Sequence, residues 1–324
     1  MLDKKDLKIL YELDKDSRLT FSQLGRKVGL GKEATRYRVN RLVENKVIRK
    51  FATYLNFTRL GYLGYSVYCK YNSITDLRKE ELKRYLQNHE SVYWISELGG
   101  RFDLAFSLFA KDPLDFDRVL KNIINKYHSF LADITFIIKL EPHKYNRKYL
   151  IKLQPPADDE VVPAILGAYT PSLIEKKVLQ SLTKNSRVTA ADIADSINSP
   201  LSTVLYTIRK LVKNEIIAGS TIVPDVSLLG LESFQINIST SSSTSDEMAS
   251  FFSYCKDHLN IIFAIKVLGS WNLELIYEIE NAKLLQAAIA EIRSRFGHLI
   301  KDIEILNVFD DCLKLDHYPF RITG

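Results

Sequence analysis

Apolar residues recur along this chain in two rhythms, one after the other. Near the N-terminus, Leu7, Leu10 and Leu13 fall at helical spacing and predict a first helix over about residues 3–14. Thr20-Phe21-Ser22-Gln23 has the T-x-x-Q form in which Thr and Gln satisfy each other's free N–H groups, so a short second helix carrying Leu24 and Val28 opens there. Gly29 can turn through positive φ and end that helix. A third helix is expected from about Lys32 to Asn45, burying Val39, Leu42 and Val43. Two short helices joined by a tight turn describe a helix-turn-helix.

After a connecting strand near 50–55 the period changes to two. Tyr65, Val67 and Cys69 alternate with Ser66, Tyr68 and Lys70, which predicts a strand over 63–71. Residues 76–88 read as a helix, and 92–98 and 102–109 as strands. Asp112-Pro113 opens a helix to about Tyr127, with Pro tolerated in the first turn, and 134–140 closes the unit as a strand. The order βαββαβ predicts a ferredoxin-like sandwich.

The pattern then returns at a constant offset of 169 residues: Ser17-Arg18 as Ser186-Arg187, Leu60-Gly61 as Leu229-Gly230, Gly100 as Gly269. Asn198 takes the turning position of Gly29. The fold class expected is therefore α+β, with two tandem copies of a winged helix-turn-helix followed by a ferredoxin-like βαββαβ (RAM-type) sandwich. The domains expected are 1–52 and 53–150, a linker 151–171 containing Pro155-Pro156, then 172–221 and 222–324. Such a linker is long enough for the halves to pair as an intrachain pseudo-dimer.

Charge sharpens the picture. Residues 1–52 hold 14 Lys/Arg against 7 Asp/Glu, whereas 222–324 hold 8 against 14, so the positive charge gathers in the first small module. A basic surface there points toward nucleic acid. With the apolar residues of the third helix inward, Glu33, Arg36, Tyr37 and Asn40 face out and can enter a major groove, where Arg can contact guanine and Asn adenine. Lys32, Arg38 and Arg41 suit phosphates better. An ordinary solvated basic helix is the alternative. In the second copy Leu201, Leu205 and Thr207 replace Lys32, Arg36 and Arg38, leaving Arg209 and Lys210 basic over a core of Ile208, Leu211 and Val212. That helix is expected to bind DNA weakly or to have become a packing surface.

No apolar run reaches the roughly 18 residues of a membrane span, and the N-terminus turns amphipathic too soon for a signal peptide. Three cysteines, scattered singly, fit neither a disulfide framework nor a zinc site and point to a reducing, cytoplasmic setting. The six histidines match no metal or catalytic spacing, so no catalytic residue, metal or cofactor is expected. Between the second and third strands of the sandwich lies Leu98-Gly99-Gly100-Arg101-Phe102-Asp103. Its spacing fits a tight hairpin turn with a capping Asp, and also a fixed carboxylate offered to a ligand amine. The second copy has Leu268-Gly269-Ser270-Trp271-Asn272 there, without the carboxylate.

Taken in order, the words Leu2-Asp3-x-x-Asp6-x-x-Ile9-Leu10, Ser17-Arg18, Gln23-Leu24, Val28-Gly29-Leu30, Arg38-Val39-x-Arg41-Leu42, Val47-Ile48 and Gly100-x-x-Asp103 resemble the Lrp/AsnC family of feast-famine transcription regulators. The resemblance spans 1–150 and, more faintly, 172–318. It implies a transcription factor that binds double-stranded DNA through the third helix, with Lys32, Glu33, Arg36, Tyr37, Arg38, Asn40 and Arg41 at the contact. It also implies a sandwich that oligomerises and senses a small molecule, often an amino acid, at or near Leu98, Gly99, Gly100, Arg101 and Asp103. The ordinary member is a single unit that dimerises, so the tandem form implies a pseudo-dimer within one chain and, by family habit, a homo-oligomer of chains. Gly31 and Pro200 stand where the family usually has Ser, and Lys46 and Glu215 where it has Gly.

Two other readings compete. One is a tetrapyrrole enzyme like the sirohaem decarboxylases, which share the fold and carry a His and an Arg on the strand aligned with Val92–Glu97. Here that strand reads Val92-Tyr93-Trp94-Ile95-Ser96, so no enzyme is expected. The other is a co-regulatory protein without DNA affinity, against which the basic residues of the third helix argue.

Overall fold

The computed structural model describes residues 2–152, 160, 161, 167, 169–241 and 244–313. Most of the expected linker, Pro155-Pro156 included, lies outside the described residues. The first copy runs α1 (Lys4–Lys15), α2 (Phe21–Val28), α3 (Lys32–Glu44), β1 (Ile48–Leu55), β2 (Leu63–Tyr71), α4 (Asp76–Asn88), β3 (Val92–Gly99), β4 (Leu104–Ala110), α5 (Pro113–Tyr127) and β5 (Leu131–Lys144). A two-residue strand β6 (Glu160–Val161) follows. The second copy repeats the series as α6 (Leu173–Lys184), α7 (Ala190–Ser196), α8 (Leu201–Lys213), β7 (Ile217–Pro224), β8 (Glu232–Thr240), α9 (Ser245–Asp257), β9 (Ile261–Gly269), β10 (Leu273–Ile279), α10 (Ala282–Phe296) and β11 (Ile300–Leu313).

β1 and β7 pair antiparallel, with Ala52 opposite Thr221. These are equivalent positions of the two copies, so a pseudo-twofold axis passes between them. Each strand packs on the other copy's helices: Ile222 joins the core of Ile9, Leu10, Leu13, Leu24 and Val39, while Leu55 and Leu60 join Val178, Leu182 and Val204. The two helical modules are thereby intertwined.

The remaining strands close into a ring. β5, β2, β4 and β3 form one sheet and β11, β8, β10 and β9 the other, joined at the seams β3·β11 and β5·β9. The last strand of the first copy, β5, is longer than the 134–140 that alternation predicts, and β11 matches its length. The extra length of β5 carries the seam, where Ile137 to Lys144 pair with β9. Such pairing partners lie far away in sequence and leave no local signature. Pro142 sits in this stretch, and Lys144 also meets β6.

Alternation puts one face of each sheet under helices. Tyr65, Val67, Cys69, Leu104 and Phe106 pack with residues of α4 and α5, and Phe234, Ile236, Leu273 and Leu275 with residues of α9 and α10. The inner faces meet in a third core of Tyr68, Leu98, Phe102, Ile137, Ile265, Val267, Trp271 and Leu306. Polar groups cross this interior in a chain, Gln235 donating to Tyr68 at 2.8 Å and Tyr68 to Glu274 at 3.0 Å, while the Gln235 amide oxygen is left without a partner.

Candidate nucleic-acid interface

The helix-turn-helix is set by its caps. Thr20 and Gln23 form the reciprocal capping box of α2, and Gly29 ends that helix at φ 69°. A methyl on Gly25 would lie 2.6 Å from the Leu30 carbonyl oxygen, so only glycine lets the turn fold back this tightly. α3 then buries Thr35, Val39 and Leu42 against α1 and α2. Val43, expected in the core, is 40 % exposed, and its counterpart Val212 is 51 % exposed. Thr35, Val39 and Leu42 recur at i, i+4 and i+7, which centres the buried stripe one position away from Val43.

Lys32, Glu33, Arg36, Tyr37 and Asn40 stand together on the exposed side of α3. Arg36 and Glu33 form an ion pair at 2.6 Å, and the Tyr37 ring is two-thirds exposed. Arg38 and Arg41 belong to a different cluster. Arg38 donates to Asp3 at 2.7 Å and to Asp6 at 2.8 Å, and Arg41 donates to Asp6 at 2.8 Å. The Asp6 N–H and the Arg38 guanidinium hold the Asp3 carboxyl below its ordinary range. These acids clamp α3 to α1, a role the sequence motif gave no hint of. Comparison of the copies contains the missing signal: Glu175 and Lys210, the equivalents of Asp6 and Arg41, pair at 2.9 Å.

The loop at Leu98–Asp103 lies on a seam. Gly100 has φ 127°, and a Cβ there would come within 3.2 Å of the Ile305 carbonyl oxygen of β11. Gly269 matches it, φ 149°, against the Phe136 carbonyl oxygen of β5. Each loop therefore rests on the opposite copy. Asp103 accepts the Tyr71 N–H at 2.8 Å, and its own N–H donates to the Cys69 carbonyl. Asn272 repeats both contacts, accepting the Thr240 N–H at 2.8 Å and donating to Ile238. Only an oxygen acceptor is needed, which is why Asn can stand where Asp stood. Leu98 is buried, Gly99 lies under the Phe309 ring, and Arg101 is exposed 3.6 Å from Glu304.

Comparison with known proteins fixes the family. A winged helix-turn-helix DNA-binding family model matches residues 2–49 and again 172–218. An HTH-type transcriptional regulator of Pyrococcus horikoshii is 43 % identical over 140 residues, covering 42 % of this chain and 85 % of that protein. The HTH-type transcriptional regulator LrpA of the same organism is 28 % identical over 129 residues, covering 39 % of this chain and 88 % of that protein. The chain belongs to the Lrp/AsnC family of DNA-binding transcription regulators. Over its full length it also resembles the crystal structure of the siroheme decarboxylase NirDL, with a TM-score of 0.60 at 16 % identity, covering 95 % of this chain and 92 % of that one. At that identity the likeness is one of fold. Among the described residues no helix is long and apolar enough to cross a membrane.

This Lrp/AsnC chain ties its first helical module to the ring through a buried cluster that sequence reasoning missed. The Arg147 guanidinium donates to both Glu278 oxygens at 2.8 Å and to Asp14 at 2.6 Å. Burial works against its charge, but Glu278 and Asp14 hold its pKa well above the ordinary arginine value. Tyr149 donates to Glu278 at 2.5 Å and Thr221 to Asp14 at 3.0 Å. The residues equivalent to Asp14 and Glu278 are Thr183 and Phe109, so this hub exists once.

Proposed function

We propose that this regulator reads the major groove with α3, and that its ring of sheets senses a small molecule such as an amino acid. The observation that carries the first part is the face of α3 itself. Arg36, Tyr37 and Asn40 are free of the core while Thr35, Val39 and Leu42 anchor the opposite side. Arg36 takes guanine and Asn40 adenine, with Lys32 on phosphate and Glu33 beside Arg36. Arg38 and Arg41 meet the backbone only as members of their clusters with Asp3 and Asp6.

The effector part rests on position. Leu98, Gly99, Gly100, Arg101 and Asp103 lie where one copy's loop meets the other's strand, so a ligand bound there would sense the angle between the halves. Chains of this kind assemble further into homo-oligomers. The likeness to a decarboxylase is carried by fold alone. Tyr68, Phe102, Trp271 and Trp94 fill the space between the sheets, which favours a regulator over a tetrapyrrole enzyme.

Fluorescence anisotropy against duplex DNA from upstream of this protein's own gene, with random DNA as control and over a series of salt concentrations, tests the reading. Tighter binding to the upstream duplex that falls steeply with salt is the expected result. Equal, weak binding to both duplexes would refute it.

A further inference from the structure

α8 shows solvent a face that packing does not explain. Val204, Thr207 and Leu211 are buried, yet Leu201, Ser202, Leu205, Tyr206 and Arg209 are exposed at the positions of Lys32, Glu33, Arg36, Tyr37 and Asn40. Leu201 is 47 % and Leu205 38 % exposed, so among the described residues α8 has not become a packing surface.

We infer that α8 is a second base-reading helix, one that uses apolar contacts, and that a single chain therefore recognises a non-palindromic duplex: a guanine/adenine segment under α3 and a thymine-rich segment under α8. This rests on the reading of α3 given above. Thymine is the base that offers a methyl group in the major groove, and apolar side chains are its natural contact. Leu201 and Leu205 supply two such side chains one helical turn apart.

Three observations favour DNA over another occupant. Tyr206 is 66 % exposed and Tyr37 67 %, so a tyrosine that neither core requires is retained at one position on both helices. The apolar stripe is bordered by exposed Arg209 and Lys213, and residues 172–221 carry 7 Lys/Arg against 4 Asp/Glu, which matches a groove edged by phosphates. Finally, the pseudo-twofold through Ala52 and Thr221 makes α8 the image of α3.

The test selects duplexes from a random-sequence pool with the full chain, then replaces thymine by uracil in each conserved segment, which removes only the methyl groups. The expected site has two unlike segments. Uracil in the thymine-rich segment weakens binding about fourfold per contacted methyl, the transfer free energy of one buried carbon, and Leu205→Ala abolishes part of that sensitivity while binding through the other segment persists. A site with one conserved segment, a palindrome, or binding indifferent to uracil would overturn the inference and leave the reading of α3 standing; a single segment together with DNA binding unaffected by Leu205→Ala would assign the stripe to a protein partner. Recovery of no consensus at all would overturn both.

Discussion

Ser17 and Ser186, equivalent residues of the two copies, meet in the buried centre of the helical modules with their hydroxyl oxygens 2.6 Å apart. Around them the arginines cross over: Arg187 donates to the Ser17 carbonyl at 2.6 Å and to Leu19 at 3.0 Å, and Arg18 donates to the Ser186 carbonyl. The Ser-Arg word shared by both halves is thus a lock between modules. One hydroxyl must donate and the other accept, so the pair acts as a unit. Either Ser→Ala change leaves a buried oxygen unpaired and should cost about 1–3 kcal/mol, whereas the double change should cost no more than one single change. Urea unfolding of the four proteins checks this; additive losses would show the two hydroxyls to be independent.

The two kinds of arginine on α3 should separate experimentally. Among the described residues Arg36 pairs with exposed Glu33, so Arg36→Ala should weaken specific DNA binding by about 1–3 kcal/mol and leave the melting temperature unchanged. Arg38→Ala strips a partner from Asp6, which is fully buried, and should lower the melting temperature by several degrees. Loss of binding without loss of stability in Arg38→Ala would show that residue acting at the phosphate contact and not in the clamp.

Asp103 needs only an oxygen to accept the Tyr71 N–H, and Asn272 shows that an amide serves. Asp103→Asn should therefore stay within about 0.5 kcal/mol of the parent, while Asp103→Ala should lose about 1–3 kcal/mol. Calorimetry on both variants gives the comparison. If the effector also requires the carboxylate charge, Asp103→Asn will fold normally and fail to respond.

Removing Arg147 leaves Glu278 buried without its cation and Asp14 with only Lys144, 3.9 Å away. Arg147→Ala should destabilise the chain by about 3–5 kcal/mol. Because Asp14 belongs to the first module and Glu278 to β10, unfolding should also lose cooperativity, with the helical module melting ahead of the ring. A single sharp transition at reduced temperature would show that contacts other than Arg147, such as Lys144 on Asp14, suffice to couple them.

Two groups with large shifts contribute to the acid limb of stability. Burial, with Lys148 and Arg295 nearby, pushes His258 down to about 4. Its folded pKa lies below the unfolded value near 6.5, so the unfolded chain takes up the proton first and stability falls as pH drops from about 6.5 to 4. Burial would raise Glu175, but hydrogen bonds from Tyr169, Lys210 and Ser172 hold it down to about 2. Its contribution is present above the unfolded value near 4.5 and is lost as pH falls from there toward 2. His258→Asn, which keeps an acceptor for the Asn260 N–H, should flatten the upper limb and leave the lower one. An unchanged upper limb in that variant would place the titration elsewhere.

Much of this architecture is legible in the residues. The constant offset and the periods of 3.6 and 2 locate the elements, because capping boxes such as Thr20–Gln23 and alternations such as Tyr65-Val67-Cys69 are local signals. What escaped depends on distant partners. Asp6 is only one letter of the family's words until Arg38 and Arg41 are brought to it, and residues 141–144 lie past the expected strand until β9 is set alongside. Val43 shows the limit of pattern alone, since a shift of one helical position moves a valine from core to rim. Asp103 shows another: spacing marks the loop, but only the Tyr71 contact reveals that part of its chemistry is already engaged.

Closure of the ring bears on who can associate with whom. In a single-unit relative the seams equivalent to β3·β11 and β5·β9 would join separate chains, and such chains could trade halves with one another. Here both seams are filled from within the chain. The halves form their pair at any dilution and in fixed one-to-one ratio. The pairing of the halves is settled inside the chain, and α3 and α8 are free to diverge because each always finds the same companion.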